Sequence, residues 1–591
     1  MNAKAANKEV SKEVDPITLE IIRTGLQSIP DLIEEDLTRT AYSPLIYEYK
    51  DYAVGLVDAE GRSIALARHG LTLFLTNIIG LAVKDGLEIY GKDGIKPGDV
   101  ILTNHAGTIG QHLNNVVMYT PIFSPDGALK AFMAVIVHWI DIGGRYQGSC
   151  LGTDTTELAQ EGLQLRTVKL YREGQLDQEM LRVIKYNSRR PDMLLGDIAA
   201  QHAGCVRGKQ LMEQFLARYG EDTVEAAIAT IWRNSAAAAS SAIAAIPEGV
   251  YEKSSFLDSD GVNLDVTVKL PIKVIVKNGE FIVDYSEINE QLEGPFNSGR
   301  HGGGETCARI AFKYLFSPEE PANEGSFAPL RVILPDGKFL SAREGAPIGA
   351  YSTPLPTVVD TIIAAMAPVL PHRVAGGHHA SFGIFGFSGR NPKDNSFFSF
   401  FDTALGGWGA SQNGDGVGPY KSLIHGDTRD IPVESMEALY PLLVEKYQWR
   451  ADSAGPGQFR GGLGIDKTIR ALAPIDYNMS FERSKCPPWG LQGGGDGEAG
   501  GAEVQKLDGS KITVQKISQI PLVAGDRVVI HTGGGGGFGD AVKRDPEAVR
   551  RDVHQGYVTV EHALEAYGVV VKDDGTVDEQ ATAERRAAVS T

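Results

Sequence analysis

Cysteine is scarce. Cys150, Cys205, Cys307 and Cys486 are the only four in 591 residues, and no Cys-x-x-Cys occurs. That excludes a disulfide framework and a zinc knuckle and fits a reducing compartment. Long apolar runs are missing too. Residues 362–370 form one of the longest stretches, too short to span a bilayer and followed by prolines. The start, MNAKAANKEVSKEVDP, is polar and charged and has no apolar core for a signal peptide. The expected location is the cytoplasm, with no membrane partner. Positive charge is in deficit: Lys plus Arg is 57 against 75 for Asp plus Glu, a net −18, which argues against a nucleic-acid partner. No GxxxxGK[ST] and no Gly-x-Ser-x-Gly elbow occurs, so neither a Walker nucleotide cradle nor that type of serine nucleophile is expected. No period of roughly 20–50 residues recurs, which excludes a solenoid or propeller.

Glycine, by contrast, is abundant: 69 of 591 residues, about 12% against a usual ~7%. Such a content signals many turns and backbone lying close to other backbone or to ligand. With 42% hydrophobic and 22% charged residues the chain can bury a sizeable core. Its length suggests three or four domains at about 150 residues each.

Apolar spacing predicts a helix over 17–38, kinked or interrupted at Pro30. Strand-length runs follow at 52–58, 100–103, 116–123 and 132–138. Helices are expected over 181–219, broken near Pro191, and over 223–246, closed by Pro247-Glu248-Gly249. Hairpin strands are expected at 263–269, 272–276 and 281–285, and helices at 307–316 and 358–369. The fold class is α+β: a large multi-domain mixed α/β chain with strand-rich, glycine-rich central and C-terminal parts. The expected division is a flexible tail 1–14, an N-terminal α+β domain 15–249, a central α+β domain 250–450, a strand- and glycine-rich domain 451–545 and a polar helical tail 546–591.

The strongest candidate for chemistry is His138-Trp139-Ile140-Asp141-Ile142-Gly143-Gly144, where an imidazole ends a strand-like run and a carboxylate follows three residues on. That pairing suits zinc, manganese or iron. Further ligands would come from Gln111-His112-Leu113-Asn114-Asn115 and from Asp51, all where strand-like runs meet loops. Spacing alone leaves the alternative open that the histidines are hydrogen-bonded core residues and Asp51 caps a turn. His69 and His301 read as loop histidines, and the rings of His378-His379 would point to opposite faces of a strand. Glycines 533–537 look like a phosphate cradle but lack the lysine, and a backbone-packing turn is the favoured reading. The cysteines have no basic setting that would make a nucleophile.

From Asp15 to about Asp540 the chain resembles the hydantoinase B/5-oxoprolinase family, which includes subunits of acetone and acetophenone carboxylases and of caprolactamase. The resemblance rests on Asp15-Pro16-Ile17-Thr18-Leu19-Glu20, Thr40-Ala41-Tyr42-Ser43-Pro44, Asp141-Ile142-Gly143-Gly144 and Asn323-Glu324-Gly325-Ser326-Phe327. It continues through Asp427-Thr428-Arg429-Asp430-Ile431-Pro432-Val433-Glu434, the run from Gly455 to Gly464, and the glycines that end at Asp540. The resemblance implies a complex with a hydantoinase A-type ATPase subunit, which holds ATP and magnesium. It also implies activation of a small-molecule carbonyl by phosphorylation. A metal set of Asp51, His112, His138 and Asp141 is implied, with His138 and Asp141 catalytic. Asn115 stands where some members have a carboxylate ligand, and is expected to support the site without ligating.

Tyr49, Tyr52, Trp139 and Tyr146 lie near these residues in sequence and suit a flat pocket for an aryl ketone. The preferred expectation is therefore ATP-dependent carboxylation of a ketone, acetophenone carboxylase-like, with bicarbonate as co-substrate. The alternative is ATP-dependent hydrolysis of a hydantoin, 5-oxoproline or lactam C–N bond. A second alternative is a non-catalytic scaffold subunit. Without a nucleotide cradle, the isolated chain should bind ATP poorly and show no turnover. Nucleotide titration of the purified chain tests this, and micromolar affinity would contradict it.

Overall fold

The computed structural model describes residues 14–589, so the tail expected at 1–14 lies outside the described residues except for Val14. The α+β expectation holds. Among the described residues there are four sheets, one of seven strands, two of four and one of five, with helices between and around them.

The seven-stranded sheet positions the site. Its strands are β1 (Tyr52–Asp58), β2 (Ser63–Leu66), β3 (Val100–Thr103), β4 (Asn115–Phe123), β5 (Leu129–His138), β6 (Val168–Arg172) and β7 (Gln175–Leu176), in the order β2-β1-β5-β4-β3-β6-β7. All neighbours are antiparallel. The central strands β1, β5 and β4 are apolar on both faces because both are covered. Cβ atoms built at Gly204 and Gly208 of the helix Pro191–Tyr219 would meet Val135 and Met133, so that helix covers the face carrying odd-numbered β5 residues. The opposite face lies under the helix Thr72–Gly94. A Cβ at Gly86 would meet the Tyr119 hydroxyl, and one at Gly55 would meet Ile79.

The helix Pro16–Thr40 continues through Pro30, so the proline does not interrupt it. Buried Ile22, Leu26, Ile29, Ile33 and Leu37, three or four residues apart, anchor both halves of the helix on the same core and hold it through the lost hydrogen bond. The expected strand at 263–269 is a loop up to Val268. Asp260 accepts hydrogen bonds from the N–H groups of Val262 and Asn263 and turns the chain there, so pairing starts only at Val268. One hydrophobic cluster runs from Ile22 to Ile424, across the sequence boundary expected at 249/250, and a second joins Tyr49 to strands between 384 and 531. The C-terminal helices close a third, around Val549 and Tyr567.

The glycine excess has a specific cause. Residues 533–537 form an extended segment whose successive N–H groups turn to different neighbours. Gly534 donates to the Glu498 carbonyl (3.1 Å), Gly535 to Gly462 (2.8 Å), Gly536 to Gly377 (2.8 Å) and Gly537 to Gly495 (2.9 Å). The carbonyls of Gly535, Gly536 and Gly537 in turn accept from Gly455, Ala410 and Leu491. A sheet strand serves two neighbours, whereas this one is bonded on all sides. A Cβ added at Gly534, Gly535, Gly536 or Gly537 would lie 1.8, 1.9, 1.9 or 2.1 Å from a backbone oxygen of another segment. Only glycine permits that approach. The N–H groups of Gly534 to Gly537 are already bonded, so this part of the run is a backbone-packing core that offers none of those four donors to a phosphate. Gly535→Ala should therefore destabilise the chain by more than about 3 kcal/mol, whereas Gly414→Ala, where an added Cβ meets nothing within 4 Å, should stay within about 0.5 kcal/mol. Thermal denaturation of the two variants checks it, and equal melting temperatures would contradict it.

Candidate metal centre

Antiparallel register brings three of the candidate residues into one row. Tyr52 pairs with Val137, and the His138 N–H donates to the Asp51 carbonyl at 3.2 Å, so Asp51 lies beside His138. His138 pairs on its other side with Asn115. Side chains alternate along a strand, so Asp51, His138 and Asn115 share the face of Ala53, Ile136 and Val117, under the start of the helix Thr72–Gly94. Trp139, of opposite parity, points to the other helix and donates its indole N–H to Gln201 at 3.2 Å.

His112 comes from the turn before β4. Its ring meets that of His138 edge-on with centroids 5.0 Å apart, and Tyr351 edge-on at 4.9 Å. Its Nε2 lies 3.1 Å from Asn115 Oδ1, and its Nδ1 lies 3.3 Å from the Gly349 carbonyl. Both are acceptors, and a neutral imidazole has one N–H, so one ring nitrogen faces an oxygen with only a lone pair. Burial keeps the ring neutral by pulling its pKa down to about 4. His138 is held well below its usual value by burial and then by the neighbouring His112. Cys150 Sγ lies 3.5 Å from His138 Nε2. One donor atom each from His112, His138 and Cys150 falls within 4.8 Å of the others.

These three residues, with Asp51, Asn115, Phe74, Tyr351, Phe382 and Phe401, line a cavity of about 10 Å³, room for a single water-sized occupant. Three buried polar atoms at the site have no hydrogen-bond partner among the described residues, Asp51 Oδ1, His138 Nδ1 and Ser352 Oγ. Burial raises the Asp51 carboxyl to about 7 and pushes the Cys150 thiol well up. Neutral imidazoles, a thiol and an unpaired carboxyl in a water-sized cavity fit a divalent metal. Two anionic donors would balance a dication, and a sulfur donor would suit zinc better than manganese.

Asp141 is not brought into this cavity. Its carboxylate accepts from the N–H groups of Gly143 (3.2 Å), Gly148 (3.0 Å) and Arg189 (2.8 Å) and from Arg189 Nη1 (2.8 Å). It holds the loop that folds back from β5 and carries Cys150. Although Asp141 is three residues beyond His138, the chain has left the strand by then, and the pairing expected from spacing does not form. Tyr49, Tyr52, Trp139 and Tyr146 do not form the expected pocket either. All four are buried, and their polar tips are engaged by Thr403, Glu34, Gln201 and Asp154. The rings around the cavity belong instead to Phe74, Tyr351, Phe382 and Phe401. His69, His301 and His378 lie elsewhere: His69 near Glu34 and Asp427, His301 on Glu305 and His378 on Asp360.

Sequence reasoning missed Cys150 and Glu161. Cys150 follows His138 by 12 residues through a loop with Gly143, Gly144 and Gly148 at positive φ, and those glycines were the available signal for a return of the chain. Glu161 is buried and accepts from the Ile348 N–H at 2.8 Å, fixing the loop whose Gly349 carbonyl faces His112.

The Hydantoinase B/oxoprolinase family model matches residues 15–541. The chain belongs to that family. A protein of Pseudomonas sp. (strain NS671), provisionally named as the B component of a D-/L-hydantoinase, is 29% identical over 591 residues, 97% of this chain and 98% of the relative. The crystal structure of the ATP-dependent caprolactamase of Pseudomonas jessenii superposes with a TM-score of 0.90 at 27% identity, covering 98% of this chain and 100% of that one. Nucleotide-free acetone carboxylase shares the fold, with a TM-score of 0.88 at 20% identity, covering 98% and 83%. Members of the hydantoinase B/oxoprolinase family thus include ATP-dependent enzymes built of several subunits. Among the described residues no helix is long and apolar enough to cross a membrane.

His138→Ala and Cys150→Ala should each weaken zinc binding by more than about 100-fold. Asp141→Asn should instead lower stability by about 3 kcal/mol, because it breaks a buried ion pair. The imidazoles are already neutral at pH 6, while Asp51, raised to about 7, and the Cys150 thiol still carry protons. Metal must displace these protons, so affinity should rise between pH 6 and pH 8, by about tenfold per unit for each proton released. Zinc titration at several pH values measures this, and a flat profile would contradict it.

Proposed function

We propose that this chain is the zinc-holding subunit of an ATP-dependent enzyme that hydrolyses the C–N bond of a cyclic amide. The observation that carries the reading is the water-sized cavity bounded by two neutral imidazoles, a thiol and an unpaired carboxyl. The hydantoinase-named relative and the caprolactamase, each covered by this chain almost end to end, support the substrate class. ATP and magnesium belong on a partner ATPase subunit of hydantoinase A type, where the carbonyl oxygen of the substrate is phosphorylated.

His112, His138 and Cys150 would hold the ion, with the Asp51 carboxylate beside them. Bound there, zinc supplies a Lewis acid that lowers the pKa of water or polarises a carbonyl. The chain's own residues do the remaining work. The rings of Phe74, Tyr351, Phe382 and Phe401 exclude bulk water, which strengthens every electrostatic interaction inside. Asp51, with an unpartnered oxygen, would take a proton from water and return it. Glu161 fixes the loop that orients the His112 ring. Because the cavity takes only a water-sized occupant, a ring substrate requires the aromatic wall to open.

Carboxylation of a ketone is the second reading. The aromatic wall of the cavity favours it, although the four residues expected to form an aryl pocket do not reach the site. The complex purified with its partner subunit should open caprolactam, hydantoin or 5-oxoproline with ATP consumption. Activity should fall by more than about 100-fold on zinc removal and return on zinc addition. ATP-dependent turnover of acetophenone with bicarbonate, and of no cyclic amide, would replace the first reading by the second.

A further inference from the structure

Buried lysines in this chain come with a counter-charge or a cage of rings. Lys169 lies 2.6 Å from Asp99, Lys421 lies 3.0 Å from Asp402, Lys516 pairs with Glu482, and Lys467 sits over the rings of Phe385 and Tyr447. Lys313 is the exception. It is 4% exposed, on the helix Gly304–Phe316, and its ammonium donates to Ser317 Oγ at 3.1 Å. Among the described residues no carboxylate lies within the 4.0 Å of an ion pair. The acid whose charge reaches it is Glu320, which is exposed. Burial pulls the amine down to about 8, so at neutral pH it remains largely protonated. A buried charge without a partner is costly unless something else supplies the opposite sign.

Lys313 faces a cavity of about 590 Å³ that does not include the metal centre. Ile310, Lys313 and Tyr314 present one helix face to it, three and four residues apart. Leu73, Leu423 and Ile424 add apolar wall. Arg23, half-buried, and Arg68, exposed, add two guanidiniums paired with Glu20 and Asp31. Its acids, Glu319 and Glu320, are both exposed, so the one buried charge lining the cavity is that of Lys313.

We propose that this cavity binds a small organic anion, a carboxylate or a phosphate ester with a short apolar body, whose anionic group pairs with Lys313. The apolar wall takes the body of the ligand, and Arg68 strengthens the field at the entrance. The proposal does not depend on the metal or on the reaction assigned above.

Calorimetric titration of the full chain with benzoate and with inorganic phosphate tests it. At least one probe should bind saturably at one site. Binding of benzoate alone identifies a carboxylate ligand, and binding of phosphate alone a phosphate ester. Lys313→Met should weaken that binding at least about tenfold, while its melting temperature stays level or rises because an uncompensated buried charge is gone. Lys313→Arg should retain most of the affinity. If Lys313→Met does not fold, Arg68→Gln decides, with an expected loss of about threefold. The proposal is overturned if neither probe saturates, or if the charge-removing variants bind as the wild type does.

Discussion

The candidate metal centre depends on one constraint, the antiparallel register of β1, β5 and β4. Pairing Tyr52 with Val137 and Asn115 with His138 sets Asp51, His138 and Asn115 side by side on one face. A slip of one residue would turn His138 toward the opposite helix, where Trp139 now meets Gln201. The register is held because both faces of these strands are buried, so any slip would expose apolar side chains or clash with the covering helices.

Burial then determines the chemistry of these groups. In a cavity sealed by aromatic rings, both imidazoles are kept neutral while the carboxyl and the thiol hold their protons near neutral pH. The neutral imidazoles offer lone pairs without proton competition, whereas the carboxyl and the thiol must release their protons to a metal ion, which makes binding pH-dependent. The Asp141–Arg189 pair acts one step away, fixing the loop that delivers Cys150, and Glu161 does the same for the loop facing His112. Polar groups that never touch the cavity thus set its geometry.

Local order was largely legible in the sequence. The strands 52–58 and 100–103 coincide with their expected limits, the helix break precedes Pro191, and the landmarks from Asp15 to Asp540 identify the family. Long-range returns of the chain were harder to read. Cys150 reaches His138 through a loop whose course depends on left-handed glycines and on a carboxylate clamp 48 residues from its arginine. Asp141 looked like a ligand because three residues separate it from His138, yet that spacing has meaning only on a continuing helix or strand. The glycine run at 533–537 had the composition of a phosphate loop, and only its partners show that backbone occupies every side. The aromatic residues near the motif were correctly seen as apolar, but parity and burial place them in the core and leave the cavity wall to rings from distant segments.

The chain is thus a family member whose candidate ligand set, on the reading proposed above, differs from the one its sequence resemblance implies. An amide stands at 115, where some relatives are expected to carry a carboxylate, and on the proposed reading Cys150, from another loop, would supply the second negative charge beside Asp51. Zinc-edge X-ray absorption on the purified complex tests this most directly. One sulfur at about 2.3 Å is expected together with nitrogen and oxygen ligands at about 2.0–2.1 Å, the sulfur signal vanishing in Cys150→Ala. A bound metal surrounded only by nitrogen and oxygen would contradict it.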